Sequence, residues 1–151
     1  NFMVQLRERL VEDQKEAMRA KAAERLSTIR MIRSEILNKD KEKGDETSDG
    51  DVLKLLQSMV KRREEAAEQY DKGERPELAA KEREEILVVK EYLPAQMGDE
   101  EIRQAAKAVV EEVGASSPKD MGKVMGVLSK QLAGQATGGR ISQIVKEMLS
   151  T

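Results

Sequence analysis

Apolar residues recur three, four and seven apart in segment after segment of this chain, and the segments are separated by glycine, proline or polar runs. Met3, Leu6, Leu10 and Ala17 would lie on one face of a first helix, with a charged face opposite. After a break near residues 20–23 comes a second helix, with Leu26, Ile29, Ile32 and Ile36 as its stripe. This is the period of an amphipathic helix; a half-buried strand would alternate every second residue. Gly44 and the polar run 45–50 predict a loop, and Thr47, Ser48 and Asp49 are equivalent candidates to cap the helix that follows. Val52, Leu56, Met59, Ala66 and Tyr70 mark that third helix. Gly73 ends it, and Pro76 suits the first turn of a fourth bearing Leu78, Ile86 and Val89.

Leu93-Pro94 stops the fourth helix, because proline has no N–H to donate and clashes with the preceding turn. Residues 94–97 then predict a linker. A fifth helix opens at Gly98 or Asp99, shows Ile102, Ala105, Ala106, Val109 and Val113, and stops at Gly114. Residues 117–149 read as a helix hairpin. Ser117 can cap, Pro118 suits the first helical position, and Asp120 completes a start like a capping box. Gly134 is a stop, Gln135-Ala136-Thr137 a short connection, and Thr137 the next cap, before Ile141, Ile144, Val145 and Met148. The expected architecture is all-α: an N-terminal four-helix bundle over residues 1–93 and a small three-helix C-terminal domain over 98–151. A charged fraction of 37% would suit a disordered chain, but disordered chains do not keep regular apolar stripes.

Absent residue types exclude much chemistry. Without Cys there is no disulfide, thiolate metal site or cysteine nucleophile. Without His the commonest general base and the usual nucleophile–base pairs are gone. Phe2, Tyr70 and Tyr92 are the only aromatics, too few for a base-stacking platform. No cofactor or metal is expected, nor is an enzyme in its own right. The longest aliphatic run, Ile86-Leu87-Val88-Val89, falls far short of the ~20 residues of a membrane span. No signal peptide is visible, and a cytoplasmic chain is the expectation. Asn1-Phe2 reads as a remnant ahead of a natural start at Met3.

Four polar features stand out. Arg63 falls on the apolar stripe of the third helix, as Glu82 and Glu85 do on the fourth; an interhelix ion pair fixing register is favoured over an acid–base centre. Lys61-Arg62-Arg63, followed at once by Glu64-Glu65, predicts a solvated face laced with i,i+4 pairs. Gly122 and Gly126, four apart, predict the close approach of another helix backbone, since each costs the helix roughly 0.8–1 kcal/mol against alanine. Last, Lys119, Lys123, Lys130, Arg140 and Lys146 stand against only Asp120 and Glu147, a local net of +3 in a chain of net −2. That asymmetry points to an anionic partner. The glycine-rich turn 134–140 lacks the Gly-Lys-Ser/Thr ending of a phosphate loop and reads first as a tight turn. A helix N-terminus with Arg140 in its first turn can still hold a phosphate.

Three stretches resemble the GatB/YqeY family: ERLSTIRMIRSEI at 24–36, EREEILVVKEYLPAQM at 82–97 and EEVGASSPKDMGKVMGVL at 111–128. The resemblance covers nearly the whole chain and is nearest to free-standing YqeY-like proteins. It implies the same two-domain helical fold, and a C-terminal part similar to the tail domain of the GatB component of the glutamine-dependent tRNA amidotransferase. There the tail contacts tRNA while the chemistry, a carbon–nitrogen ligation with glutamine as amido donor, lies in other domains and components. The implied function is a non-catalytic tRNA-binding adaptor in translation, with tRNA and an amidotransferase or aminoacyl-tRNA synthetase as partners and no membrane role. Lys123 matches the lysine of the Met-Gly-Lys motif, and Gly134, Ala136 and Gly138 match the Gly-x-Ala-x-Gly turn. Two positions depart: the family usually has Lys or Arg where Gln135 stands, and Asp or Asn where Thr137 stands. Gln135 thus removes a cation from the implied contact surface. From a different functional class, the alternative is a protein-interaction module docking onto a partner protein, marked by a helix face left apolar and exposed after packing.

Overall fold

A computed structural model describes residues 2–150, with side chains from residue 5 onward, so the placing of Met3 on the first stripe lies outside the described residues. Every regular element among them is helical. The chain divides into two compact units, Asn1–Leu93 and Pro94–Thr151.

The first unit holds α1 (Phe2–Arg19), α2 (Ala23–Lys43), α3 (Asp49–Lys72) and α4 (Pro76–Lys90). α1 packs on α2, α3 on α4, and α2 also on α3 and α4. The stripes of Leu6, Leu10 and Ala17, of Ile29, Ile32 and Ile36, and of Ile86 and Val89 are buried, while Leu26 and Leu78 are half-buried. On α3 the buried series is Val52, Leu56, Met59, Arg63 and Ala67, with Leu53, Leu55 and Val60 beside it; Ala66 and Tyr70 are only half-buried. A helix packed against two neighbours needs a stripe wider than a single row of i, i+3, i+4 positions.

Local chemistry sets the helix ends. Gly44, at φ 74°, closes α2 with its N–H directed to the Asp40 and Lys41 carbonyls. Ser48 is the cap of α3, its hydroxyl accepting from the Asp51 N–H at 3.3 Å. Gly73 ends α3 and Pro76 begins α4. Two clamps then tie remote segments. Arg7 grips the Asp40 carboxylate through its Nη1 and Nη2 groups, at 3.1 and 3.3 Å, and the Thr47 N–H donates to the same carboxylate at 2.8 Å. Arg7 first, then Thr47, holds the Asp40 carboxyl far below the ordinary carboxylate range. Tyr92 is wholly buried, donates to Asp13 at 2.5 Å, and lies with its ring 5.0 Å from the Arg9 guanidinium. Burial, then Asp13, pushes its phenol up.

The second unit holds α5 (Asp99–Val113), a single 3-10 turn (Pro118–Asp120), α6 (Met121–Gln131) and α7 (Gly138–Leu149). Its core is wholly apolar: Ile102, Ala106 and Val109 meet Val124, Leu128 and Leu132, and Ile141, Ile144, Val145 and Leu149 close it. Gly114, at φ 69°, ends α5. Pro118 and Asp120 form the 3-10 turn rather than the α-helix start; the Asp120 carboxylate accepts from the Ser116 and Ser117 N–H groups at 2.9 and 3.2 Å. Those two bonds lower its pKa. Thr137 caps α7, accepting from the Arg140 N–H at 3.3 Å.

Candidate nucleic-acid interface

Arg63 is 8% exposed. Its Nε donates to Glu85 Oε2 at 3.1 Å, its Nη1 to the Met59 carbonyl at 3.2 Å, and its Nη2 to the Met31 sulfur. The pair joins α3 to α4 and consumes the charge of both groups. Glu82 is not part of it: no ion pair to Glu82 forms among the described residues. Its carboxyl is pushed up, first by desolvation and then by the Glu85 charge, against a smaller opposing pull from Arg63. One carboxylate is thus engaged between α3 and α4, and the other is left desolvated without an ion pair. Arg62 reaches across to Glu35 of α2 at 2.7 Å, so the basic cluster finds its acidic partners on other helices rather than at i,i+4.

The five cations of 117–149 are all exposed. Lys119, Lys123 and Lys130, at intervals of four and seven, share one side of the 3-10 turn and α6, turned away from the buried Val124 and Leu128. Lys123 stands 4.0 Å from Asp120, a loose contact. Arg140 is engaged: its Nε donates to Asp99 Oδ1 at 2.6 Å, tying the start of α7 to the start of α5. Lys146 projects from a different side of α7, six residues from Arg140 and so about 120° round the axis. The candidates therefore resolve into a three-lysine row along the 3-10 turn and α6, one arginine already paired, and one separate lysine. The local surplus is also balanced within the unit, because α5 contributes Asp99, Glu100, Glu101, Glu111 and Glu112.

Gly122 and Gly126 lie on the exposed side of α6, beside that lysine row. A Cβ built on either would meet nothing within 4 Å, so no helix backbone approaches them, contrary to expectation. The stripe itself carried that signal: each glycine is two positions, about 200°, from Val124 or Leu128. The paired role of Asp99 was hidden, being 41 residues from Arg140. Among the described residues no group of three or more Asp or Glu side chains is arranged to hold a metal ion, and no helix is long and apolar enough to cross a membrane. A cleft of 440 Å³ between α2 and α4 is lined by both signs of charge, including Glu24, Arg25, Lys81 and Glu84.

The chain belongs to the YqeY-like family: the family model described as Yqey-like protein matches residues 7–149. It is similar to "Altered inheritance of mitochondria protein 41, mitochondrial" of Pyrenophora tritici-repentis, 30% identical over 145 residues, which cover 93% of this chain and 79% of that protein. The protein of the same name from Clavispora lusitaniae is 31% identical over 142 residues, covering 91% and 81%. An uncharacterized protein of Schizosaccharomyces pombe is 33% identical over 94 residues, covering 62% and 73%. Neither the family description nor these names carries a catalytic activity. The two mitochondrial names overturn the expectation of a cytoplasmic chain. That expectation rested on finding no secretory signal and no membrane-length run, and neither feature bears on import into mitochondria, which uses amphipathic, arginine-rich leaders.

Proposed function

We propose that this protein is a non-catalytic tRNA-binding adaptor of the mitochondrion, associated with amidotransferase-type modification of aminoacyl-tRNA, and that α6 is its RNA-facing element. The observation that carries the reading is the row of Lys119, Lys123 and Lys130 beside Gly122 and Gly126. Two glycines on an exposed helix face weaken the helix and are offset by no packing within the chain. They leave a strip of bare backbone beside three cations, a surface on which a phosphodiester chain can lie close. Contacts of this kind position a nucleic acid without reading its sequence. Arg140 joins only by exchanging Asp99 for a phosphate, and Lys146 contacts a separate strand or none. The amidotransferase association rests on the family resemblance, and the mitochondrial setting on the names of the relatives.

Filter binding of total tRNA across a salt series tests this. Three phosphate contacts give a slope of log affinity against log salt between about −2 and −3. Lys123→Glu combined with Lys130→Glu should abolish most of that slope. Absence of binding at low salt eliminates the reading.

A further inference from the structure

We infer that the outer seam between α1 and α2 is a docking surface for an acidic amphipathic helix of a partner protein. This surface lies in the first unit and does not depend on the RNA reading of α6. Met18, Leu37 and Leu87 are the large apolar side chains left exposed among the described residues, at 52%, 51% and 66%. Two of the three, Met18 and Leu37, fall on this seam. The hydrogen bonds from Arg7 to Asp40 at 3.1 Å and from Arg33 to Gln14 at 2.6 Å fix α1 and α2 as antiparallel neighbours. In that register Leu37 stands beside Val11, and together with Arg7 and Arg33 they line one shallow cleft of 90 Å³. Met18 is seven residues beyond Val11 on α1, two turns or about 10 Å along the same side. The two apolar stations, Leu37 with Val11 and then Met18, are spaced as the i and i+7 anchors of a helix laid into a groove.

The charges beside the strip select the partner. Arg7 is neutralised by Asp40, with which it shares two hydrogen bonds. Arg33 is held only by the neutral amide of Gln14, and Arg30, exposed on the same side of α2, has no partner among the described residues. Two uncompensated guanidinium groups thus border an apolar strip. Guanidinium pairs bidentately with carboxylate, which suits Glu or Asp flanking the apolar face of the incoming helix. A nucleic acid would use the arginines and leave Leu37 and Met18 in water.

The probe is a synthetic helical peptide with leucines at i, i+4 and i+7 flanked by glutamates, compared with a counterpart bearing lysines in their place. Both are titrated into the isotopically labelled full chain and followed by amide chemical shifts and fluorescence anisotropy. The acidic peptide should saturate and shift amides of residues 7–18 and 30–40. Leu37→Glu and Arg33→Glu should each weaken it at least about tenfold, with Leu87→Glu, on α4, without effect. Arg30 is exposed and makes no hydrogen bond among the described residues, so Arg30→Glu, which should also weaken the peptide, keeps the test alive should Leu37→Glu or Arg33→Glu melt early. Equal binding of the lysine peptide, shifts confined to other helices, or displacement of the peptide by total tRNA would each overturn the proposal. So would a concentration-dependent dimer in sedimentation that Leu37→Glu dissolves, which would give the face to a second copy of the chain.

Discussion

The two units solve the same packing problem with different chemistry. The N-terminal bundle places charged and polar groups inside or across its helix contacts: Arg63 with Glu85, Arg7 with Asp40, Tyr92 with Asp13. The C-terminal unit keeps its core apolar and defines its helices by capping and turns, through Gly114, Asp120 and Thr137. Net stability per group is not the benefit of the first solution, since a buried ion pair roughly breaks even against apolar packing. What it confers is register: four long helices sliding past one another lose every clamp at once. Among the described residues the C-terminal unit carries a single pair of this kind, Arg140 with Asp99, and it lies at exposed helix starts rather than against the core. The cations divide accordingly, with several in the bundle consumed internally and the lysines of α6 left facing solvent.

Arg63→Ala should break this contrast most severely. It strands Glu85 at 17% side-chain exposure without its partner, a loss on the order of 3–5 kcal/mol. Hydrogen exchange at the amides of α3 and α4 would read the loss within the bundle, whereas Lys123→Ala, on the exposed face of α6, should leave exchange in its own unit within about 0.5 kcal/mol. Arg63→Met retains bulk but still strands Glu85; combining it with Glu85→Leu should recover much of the loss. Equal effects of Arg63→Ala and Lys123→Ala would erase the distinction between the units.

Thr137→Ala probes the other solution. Removing the cap of α7 frees the Arg140 N–H and should cost about 1 kcal/mol in the C-terminal unit. Thr137→Asp should restore it, because a carboxylate caps equally well and adds a favourable charge at the helix N-terminus. A neutral Thr137→Ala would mean that the turn geometry alone, with Gly134 at φ 78°, defines the hairpin.

Gly126→Ala separates stability from function. An alanine there meets nothing and restores helix propensity, so α6 should gain about 0.8–1 kcal/mol by hydrogen exchange. If bare backbone is what the RNA approaches, the same change should weaken tRNA binding severalfold. A stabilised variant with unchanged tRNA affinity would free the glycine face of that role while leaving the lysines in place.

Much of this architecture is local and was therefore legible. The stripes through Leu10, Ile32, Leu56 and Ile144, the stops at Gly73 and Gly114, the start at Pro76 and the cap at Thr137 each depend on residues within one or two turns. Partner choice was not local. Glu82 and Glu85 are three apart and flank the same stripe, and only the rotation of α4 against α3 decides which of them meets Arg63. Arg62 with Glu35 and Arg140 with Asp99 pair across 27 and 41 residues, beyond any helical period. Gly122 and Gly126 differ for another reason: their GxxxG spacing suggests a helix partner, while the neighbouring Val124 and Leu128 turn both glycines outward. Among the candidate cations, the row on α6 follows from periodicity, whereas the capture of Arg140 by Asp99 had to be seen.

Glu82→Gln tests the smallest difference and the sign of a charge. The folded bundle raises the Glu82 pKa through desolvation and the adjacent Glu85, so its ionised form is disfavoured in the native state. A raised carboxylate contributes stability that is fully present below the unfolded-state pKa and is lost as pH rises through the folded one. At neutral pH wild-type Glu82 is therefore a liability, and the glutamine variant should melt slightly higher. That gain should shrink as the pH is lowered through the carboxylate range, where the wild-type side chain is protonated as well. Glu85→Gln should behave in the opposite way, destabilising at neutral pH by weakening the bond to Arg63. Thermal melts of both variants from acid to neutral pH give the two signs directly. If Glu82→Gln were the more destabilising of the two, the clamp would belong to Glu82, and α4 would be rotated from its place against α3.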